Sequence, residues 1–365
     1  MRILDGYIAR EVLLPLVFGV AAFTGLFVGG NALNLARTAV DTGAPMGAIA
    51  KVFVLQLPQT AVWTLPMAVL FGALLGLSRL SSTSEIVAMR AGGISFYRLA
   101  APVLTLGVLV GALTFFIEDT VVPAANEEAE RLTIVDIQHG HLPHLTPNVV
   151  LKQFDGGELT GFVYAREFDS DTDTMQDVTV LHLAEGRPKA IEYAEKVKWD
   201  QHSSQWTMEG GTTTLLGDVD QPSAVLTFGH GSEPVAIAQR PADIANLQKK
   251  PDQMRYRELA KQITVMRQAG QPIKDLAVQL YEKLALPAAA LVFAIMGAAL
   301  GVQSHRTASS IGFGLSIVII FVYYVVMSVG SALGSGGYIP PWLGAWLQDL
   351  LLGGAGIYLL VKRAR

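Results

Sequence analysis

Two long, nearly charge-free flanks enclose a charged centre, and this division constrains the chain more than any single motif does. A membrane-crossing helix needs about 20 apolar residues at 1.5 Å each. Six stretches meet that length: 12–36, 52–77 and 99–117 before the centre, and 284–302, 311–333 and 342–361 after it. Only 16% of the 365 residues are charged, against about a quarter in soluble proteins. The deficit is confined to the flanks, so lipid is the expected solvent there and water the solvent of the centre.

The first apolar run is about twice as long as the 7–15 residues of a secretory leader's core, and no small-residue cleavage site follows, so a retained helix is expected. Short-loop Lys and Arg set orientation. Arg2, Arg10, Arg79, Arg90, Arg98, Arg306, Lys362, Arg363 and Arg365 all fall on one side if the helices alternate. The opposite short loops hold Arg37 and Lys51 alone. Both termini are therefore expected in the cytoplasm and the central domain outside, in the periplasm of a Gram-negative-type cell. The net charge of -4, with no basic run, gives no reason to expect a nucleic-acid partner. The lack of cysteine excludes disulfides and thiolate metal sites.

The centre reads as β-structure. Runs at 148–154, 161–167, 178–183, 190–199, 205–216 and 224–229 carry β-branched or aromatic residues and are separated by turn-rich pieces. Strands so spaced indicate a sandwich or jelly-roll. A helical pattern returns at 251–268, with Leu259, Ile263 and Met266 on one face and a start at Pro251 and Asp252. The expected fold is a polytopic α-helical membrane protein of six transmembrane helices with an inserted periplasmic all-β jelly-roll domain. Its parts are helices 1–3 over 1–123, the β-domain over 124–250, a helical stalk over 251–283 and helices 4–6 over 284–365.

Enzyme motifs are missing. No Gly-Lys dipeptide exists, so no G-x-x-x-x-G-K-[ST] phosphate loop can form, and neither H-E-x-x-H nor G-x-S-x-G occurs. Asp169, Asp171 and Asp173 imitate a calcium loop, but Thr174 stands where the turn needs Gly and Val180 where the bidentate Glu belongs. His139, His141 and His144 share a Gly/Pro-containing loop without fixed register. No catalytic residue, metal site or cofactor is expected. The link between helices 2 and 3 is more informative. Ser82-Thr83-Ser84-Glu85 fits a capping box that would start a short helix over 83–91, ended by Gly92-Gly93. Ile86, Met89 and Arg90 would share a face, either resting on the membrane or receiving force from a separate ATPase. Polar stripes also mark the spans: Thr24, Asn31, Asn34, Arg37 and Thr38 on helix 1, and Gln56, Gln59, Thr60 and Trp63 on helix 2. Such residues bond between helices or line a wet cavity. Arg37 and Lys51 at the outer rim fit an anionic ligand or interfacial snorkelling. Pro58, Pro66, Pro102 and Pro287 are expected to kink or end helices. Glu118 and Asp119 are expected to mark the water interface.

Residues 84–95, Ser-Glu-Ile-Val-Ala-Met-Arg-Ala-Gly-Gly-Ile-Ser, resemble the cytoplasmic motif of the LptF/LptG family of lipopolysaccharide-export ABC transporter permeases. A second likeness spans Leu284-Ala285-Leu286-Pro287, the 297–301 and 309–314 segments, Tyr323-Tyr324 and Ile339-Pro340-Pro341-Trp342-Leu343. The helix–domain–helix layout is similar too. The resemblance implies a non-catalytic permease subunit paired with a second LptF/LptG-type permease and an LptB-type ATPase dimer. It implies extraction of lipopolysaccharide from the inner membrane and transfer to an LptC-type periplasmic bridge protein. It also implies that the segment with Ser84, Glu85, Ile86, Met89 and Arg90 couples to the ATPase, Glu85 matching the acidic contact, and that helices 1 and 5 form a lateral gate. Asn31, Asn34, Arg37 and Lys51 are the candidate substrate contacts, with Arg37 foremost against lipid phosphates and membrane lipid around it. The competing reading is a membrane-anchored periplasmic enzyme or regulator acting through the β-domain.

Overall fold

A computed structural model of the chain describes residues 2–42, 44–133, 145–155, 158–169, 172–184, 186–201, 203, 205–216, 222–235, 237, 239–241, 244, 249–268, 272–302 and 310–364. Six helices among these residues are long and apolar enough to cross a membrane, three on either side of a six-stranded sheet. The protein is a polytopic membrane protein with an inserted β-domain.

The first span is α1 (Arg2–Thr42). The second is α2 (Met46–Leu55) followed by α3 (Leu57–Ser82). Pro58 lies in the first turn of α3 and lacks the N–H that would continue the ladder, so the joint falls at Gln56. A short α4 (Glu85–Ala91) leads to α5 (Phe96–Phe116), which runs through a π-helical turn (Ile117–Val121) into α6 (Val122–Leu132). After the sheet come a 3₁₀ turn (Pro251–Gln253), α7 (Tyr256–Gln268), α8 (Lys274–Gly301), α9 (Ser310–Gly336) and α10 (Pro341–Ala364). The expected helical start at Pro251 is thus a 3₁₀ turn. Pro66, Pro102 and Pro287 remain inside continuous helices.

The spans sort by burial. The most apolar window is 78% buried in the α2–α3 span and 72% in α8, but 17% in α1 and 28% in both the α5–α6 span and α9. An evenly apolar helix belongs at a centre, and α3 and α8 pack together there. Helix α1 lies on α3, α5 on α8, and α10 on α8 and α9. Lipid tails are as apolar as leucine, so helices associate in a membrane through close fit, which small residues allow. Added to Gly76, a Cβ would stand 2.7 Å from the Glu11 carbonyl oxygen of α1. At Gly344 it would stand 2.7 Å from the Gly330 carbonyl oxygen and 3.0 Å from the Gly334 Cα.

The second compact unit comprises His141–Lys250 and Lys261–Ile273. Its strands are β1 (Leu145–Asp155), β2 (Glu158–Asp169), β3 (Thr174–Ala184), β4 (Arg187–Asp200), β5 (Gln205–Leu216) and β6 (Pro222–Val235). They pair antiparallel in sequential order. The jelly-roll expectation is met in all-β class and inward apolar face, while the strand order is a meander without Greek-key crossing among the described strands. One face gathers Val149, Val163, Phe168, Val180, Val197 and Trp206. Trp206 is fully buried and donates its indole N–H to the Gln239 carbonyl at 2.7 Å. Asp177, at φ 47°, marks a break in the inward–outward alternation of β3, where Met175 and Val178 are both buried although the pairing with β2 and β4 keeps its register. Its carboxylate pairs with Arg166 at 3.0 Å and accepts from the Tyr193 hydroxyl at 2.8 Å, which raises that hydroxyl's pKa.

Replacing Gly344 with Leu should separate α9 from α10 and cost about 1–3 kcal/mol, the usual scale of overpacking. Gly314→Ala, where a Cβ meets nothing within 4 Å, should be near neutral; thermal unfolding in detergent compares the two.

Candidate functional site

The link between the second and third spans is built from its own ends. Helix α3 runs on to Ser82, so the Ser82 hydroxyl donates back to the Arg79 carbonyl at 2.8 Å and is not free to cap α4. The expected capping box does not form. Ser84 stands at the N-cap in a left-handed conformation, φ 62°, with no side-chain cap. That conformation is sparsely populated for any residue with a Cβ. At the other end the Ile94 N–H bonds the Met89 carbonyl at 3.1 Å, and the Gly93 N–H bonds the Arg90 carbonyl at 3.0 Å. With Gly93 at φ 85°, this is a Schellman close, as the two glycines led us to expect.

Between these ends α4 is anchored by one side. Ile86 is buried in a cluster with Ile8, Val12, Leu80, Phe96 and Leu99, with Met89 and Ile94 packed against it. Ser84, Val87, Ala88 and Arg90 are exposed. Ile86 therefore holds the helix down, and Val87 replaces it on the open face; the sequence grouping of Ile86 with Arg90 overlooked the apolar floor below. Glu85 is half-buried. Its Oε2 accepts from the Tyr7 hydroxyl at 2.6 Å, and its Oε1 lies 3.0 Å from the Thr83 hydroxyl. Two further contacts reach α1: Arg79 pairs with Glu11 at 3.1 Å, and Arg98 with Asp5. The basic residues were legible as a topology signal, but their acidic partners before the first span were missed.

The other candidate contacts do not gather into one place that the side chains define. Asn31 and Arg37 on α1 and Lys51 on α2 are exposed, and the side chain of Asn34 lies outside the described residues. Part of the polar stripe is spent between helices. Thr24 and Thr64 share a hydrogen bond at 3.0 Å, Tyr324 donates to the Trp63 carbonyl at 3.1 Å, and Gln59 accepts from Asn126 at 3.2 Å. His139, His141, His144 and Asp171 lie outside the described residues. Among the described residues no three His, Asp or Glu side chains converge as metal ligands would. An open cleft of about 980 Å³ runs between α1 and α9 over α3, lined by Arg10, Leu14, Phe18, Phe71, Leu75 and Phe313 among others.

Two buried polar groups escaped the sequence reading. Glu118 does not mark the water interface: it is 6% exposed and pairs with Lys283 of α8 at 3.3 Å. The π-helical turn that holds it widens the helix by one residue. Its neighbour Asp119 instead accepts from the Tyr256 backbone N–H at 2.7 Å, neutralising the start of α7. Within α9 and α10, the buried Tyr323 hydroxyl donates to Asp349 at 3.0 Å. One acidic residue in the last span and one lysine at the head of the fourth were the available signals.

Together these features define a class: a multi-pass membrane protein with no phosphate-binding loop in its sequence and a short helix seated between its second and third spans. The profile described as "Lipopolysaccharide export system permease LptF/LptG" matches residues 6–362. The chain belongs to the LptF/LptG family and is a multi-pass inner-membrane protein. It is 24% identical to the lipopolysaccharide export system permease protein LptG of Escherichia coli K12 over 99% of either chain. It is 22% identical to the protein of that name from Haemophilus influenzae over 95% of either chain.

Lys283→Met would leave Glu118 without its partner in the interior, and breaking such a pair costs about 3–5 kcal/mol. Adding Glu118→Leu should recover most of that loss, as read from unfolding midpoints of the single and double variants.

Proposed function

We propose that this permease extracts lipopolysaccharide from the inner membrane and passes it to a periplasmic bridge, using ATP hydrolysed by a separate cytosolic chain. The observation that carries the reading is α4: a seven-residue helix fixed by a buried Ile86, with Glu85, Val87 and Arg90 left for a partner, in a sequence that has no Gly-Lys step for a phosphate loop of its own. An LptB-type ATPase dimer would seat α4 in a groove, with Glu85 as the acidic contact. On this reading both termini lie in the cytoplasm and the β-domain in the periplasm, which the Lys and Arg bias of the short loops supports. The working division is helices 1–3 over 1–123, the β-domain over 124–250, a stalk over 251–283 and helices 4–6 over 284–365.

The little-buried spans α1 and α9, with the cleft between them, support pairing with a second LptF/LptG-type permease, the two helices serving as a lateral gate. Arg37 and Lys51, exposed on α1 and α2 and paired with no other described residue, suit the phosphates of lipid A, with Asn34 about one turn and Asn31 about two turns before Arg37. The inward apolar face of the β-domain suits acyl chains on their way to an LptC-type protein.

Purified with its ATPase and second permease, the Glu85→Ala protein should lose ATPase association by about 2 kcal/mol or more, the scale for truncating one partner of an interfacial charge pair. Unchanged co-purification and unchanged lipid release per ATP would remove α4 from the coupling role and the orientation with it. Arg37→Glu should weaken photo-cross-linking to lipopolysaccharide while leaving ATPase association intact. Equal loss of both would point to misfolding and withdraw Arg37 as a lipid contact.

A further inference from the structure

We propose that the first three turns of α1 are the lever through which α4 acts, and that Asp5, Tyr7 and Glu11 are the positioning residues that strap the two together. The inference rests on the coupling reading of α4 and adds where its motion goes.

Ile8, Val12 and Leu16 form the buried seam of α1, in the same apolar cluster as Ile86. At 100° per residue, Asp5 falls on the line of that seam, and Tyr7 and Glu11, four residues apart, lie to one side of it. Each of the three meets a different piece of the link. Glu11 holds Arg79 in the last turn of α3, Tyr7 holds Glu85 in the first turn of α4, and Asp5 holds Arg98 in the first turn of α5. Helix α4 is thereby clasped to α1 by an apolar contact in the middle and polar contacts around it. A carboxylate offers about four acceptor positions. Tyr7 and Thr83 occupy one oxygen each on Glu85, which fixes the carboxylate's direction and leaves acceptor capacity for a cation of the ATPase. The base of α1 is seated on α3 through Ile8, Val12 and Leu16, but no residue from Val20 to Ala32 is buried, so the rest of the helix has little packing to resist a pull at its base. A shift of α4 therefore moves α1 first.

The test uses the assembled complex in proteoliposomes and reads three quantities: ATPase retained, ATP hydrolysed, and lipopolysaccharide released per ATP. Tyr7→Phe keeps the ring and removes the hydroxyl. Glu11→Arg and Arg79→Glu break the second contact, and the double swap restores it with reversed polarity. Each single variant should lower lipid released per ATP roughly two- to fivefold, the range for losing one exposed charge contact, with ATPase retention and hydrolysis held. The double swap should return the ratio towards that of the parent. A purely structural role would lower all three quantities together and would not be rescued by the swap, and that result overturns the lever. So does a parental ratio in Tyr7→Phe and in both single charge variants. If Glu85→Ala loses the ATPase while Tyr7→Phe behaves as the parent, only the lever fails. If Glu85→Ala keeps the ATPase, the coupling site itself has failed.

Discussion

The close approach of α3 and α8 is the constraint on which the membrane unit depends. Water drives apolar helices together in a soluble protein, but lipid does not, because leaving a hydrocarbon solvent for a hydrocarbon neighbour gains little. What remains is shape. A Cβ on Gly297 of α8 would meet the Ala73 Cβ of α3 at 2.5 Å, and one on Gly301 would meet the Leu77 Cβ at 2.8 Å. The small residues let two backbones touch over several turns, and the dispersion gained by many such atom pairs fixes the pair, with the Ser78 hydroxyl donating to the Gly301 carbonyl at 3.4 Å beside it. The other spans then lean on this pair from outside. That arrangement concentrates rigidity at the centre and leaves α1 and α9 with apolar faces that a lipid or another chain must cover.

Much of this was legible because lipid imposes a simple rule: every backbone polar group must be satisfied within its own helix. Long apolar runs can then only be helices, and all six were found, though each is longer than its apolar run. The extensions carry polar residues that hydropathy ignores, such as Asp5 and Tyr7 before the first span and Lys274 to Lys283 before the fourth. The strands were legible through their turn-rich separators, and all six lie within the observed ones. What sequence could not give was the continuation of α3 through Arg79 to Ser82. A capping box is a local signal, and it lost to a helix that already had momentum and a buried Leu80 to place. Glu118 was misjudged for a related reason. A carboxylate at the end of an apolar run reads as an interface marker, and only the π-helical turn and the distant Lys283 make it an interior residue.

The candidate site divides along the same line. Glu85 and Arg90 could be picked out because a short helix bounded by Ser-rich and Gly-Gly segments has a local signature. Their setting could not, because Ile86 packs on residues about 78 positions away at the start of the chain and Tyr7 reaches Glu85 across the same separation. No periodicity within 83–91 distinguishes the face that is floored from the face that is open. Arg37 and Lys51 were found by charge against the orientation bias, which locates them along the membrane normal but says nothing about what they face.

The Glu118–Lys283 pair raises the question of why an interior charge pair is kept where an apolar pair would do. Removing two charges from water costs several kcal/mol each, and their attraction returns that only when geometry is good. Here one carboxylate oxygen, Oε2, has no hydrogen-bond partner among the described residues, so the pair is not optimised for stability. Its position is more telling. It bolts α8 to the π-helical turn, the point where the third span leaves its regular ladder and where Asp119 meets α7. A π-turn is a weak place in a helix, since its wider ring spends a residue without adding rise. A buried ion pair at that place sets one angular register for Glu118 and so one rotation of α6 relative to α5. Apolar residues of the same volume would pack there without that choice. The cost of the buried charges is in this account the cost of directionality at the end of the bundle that carries the polar insertion.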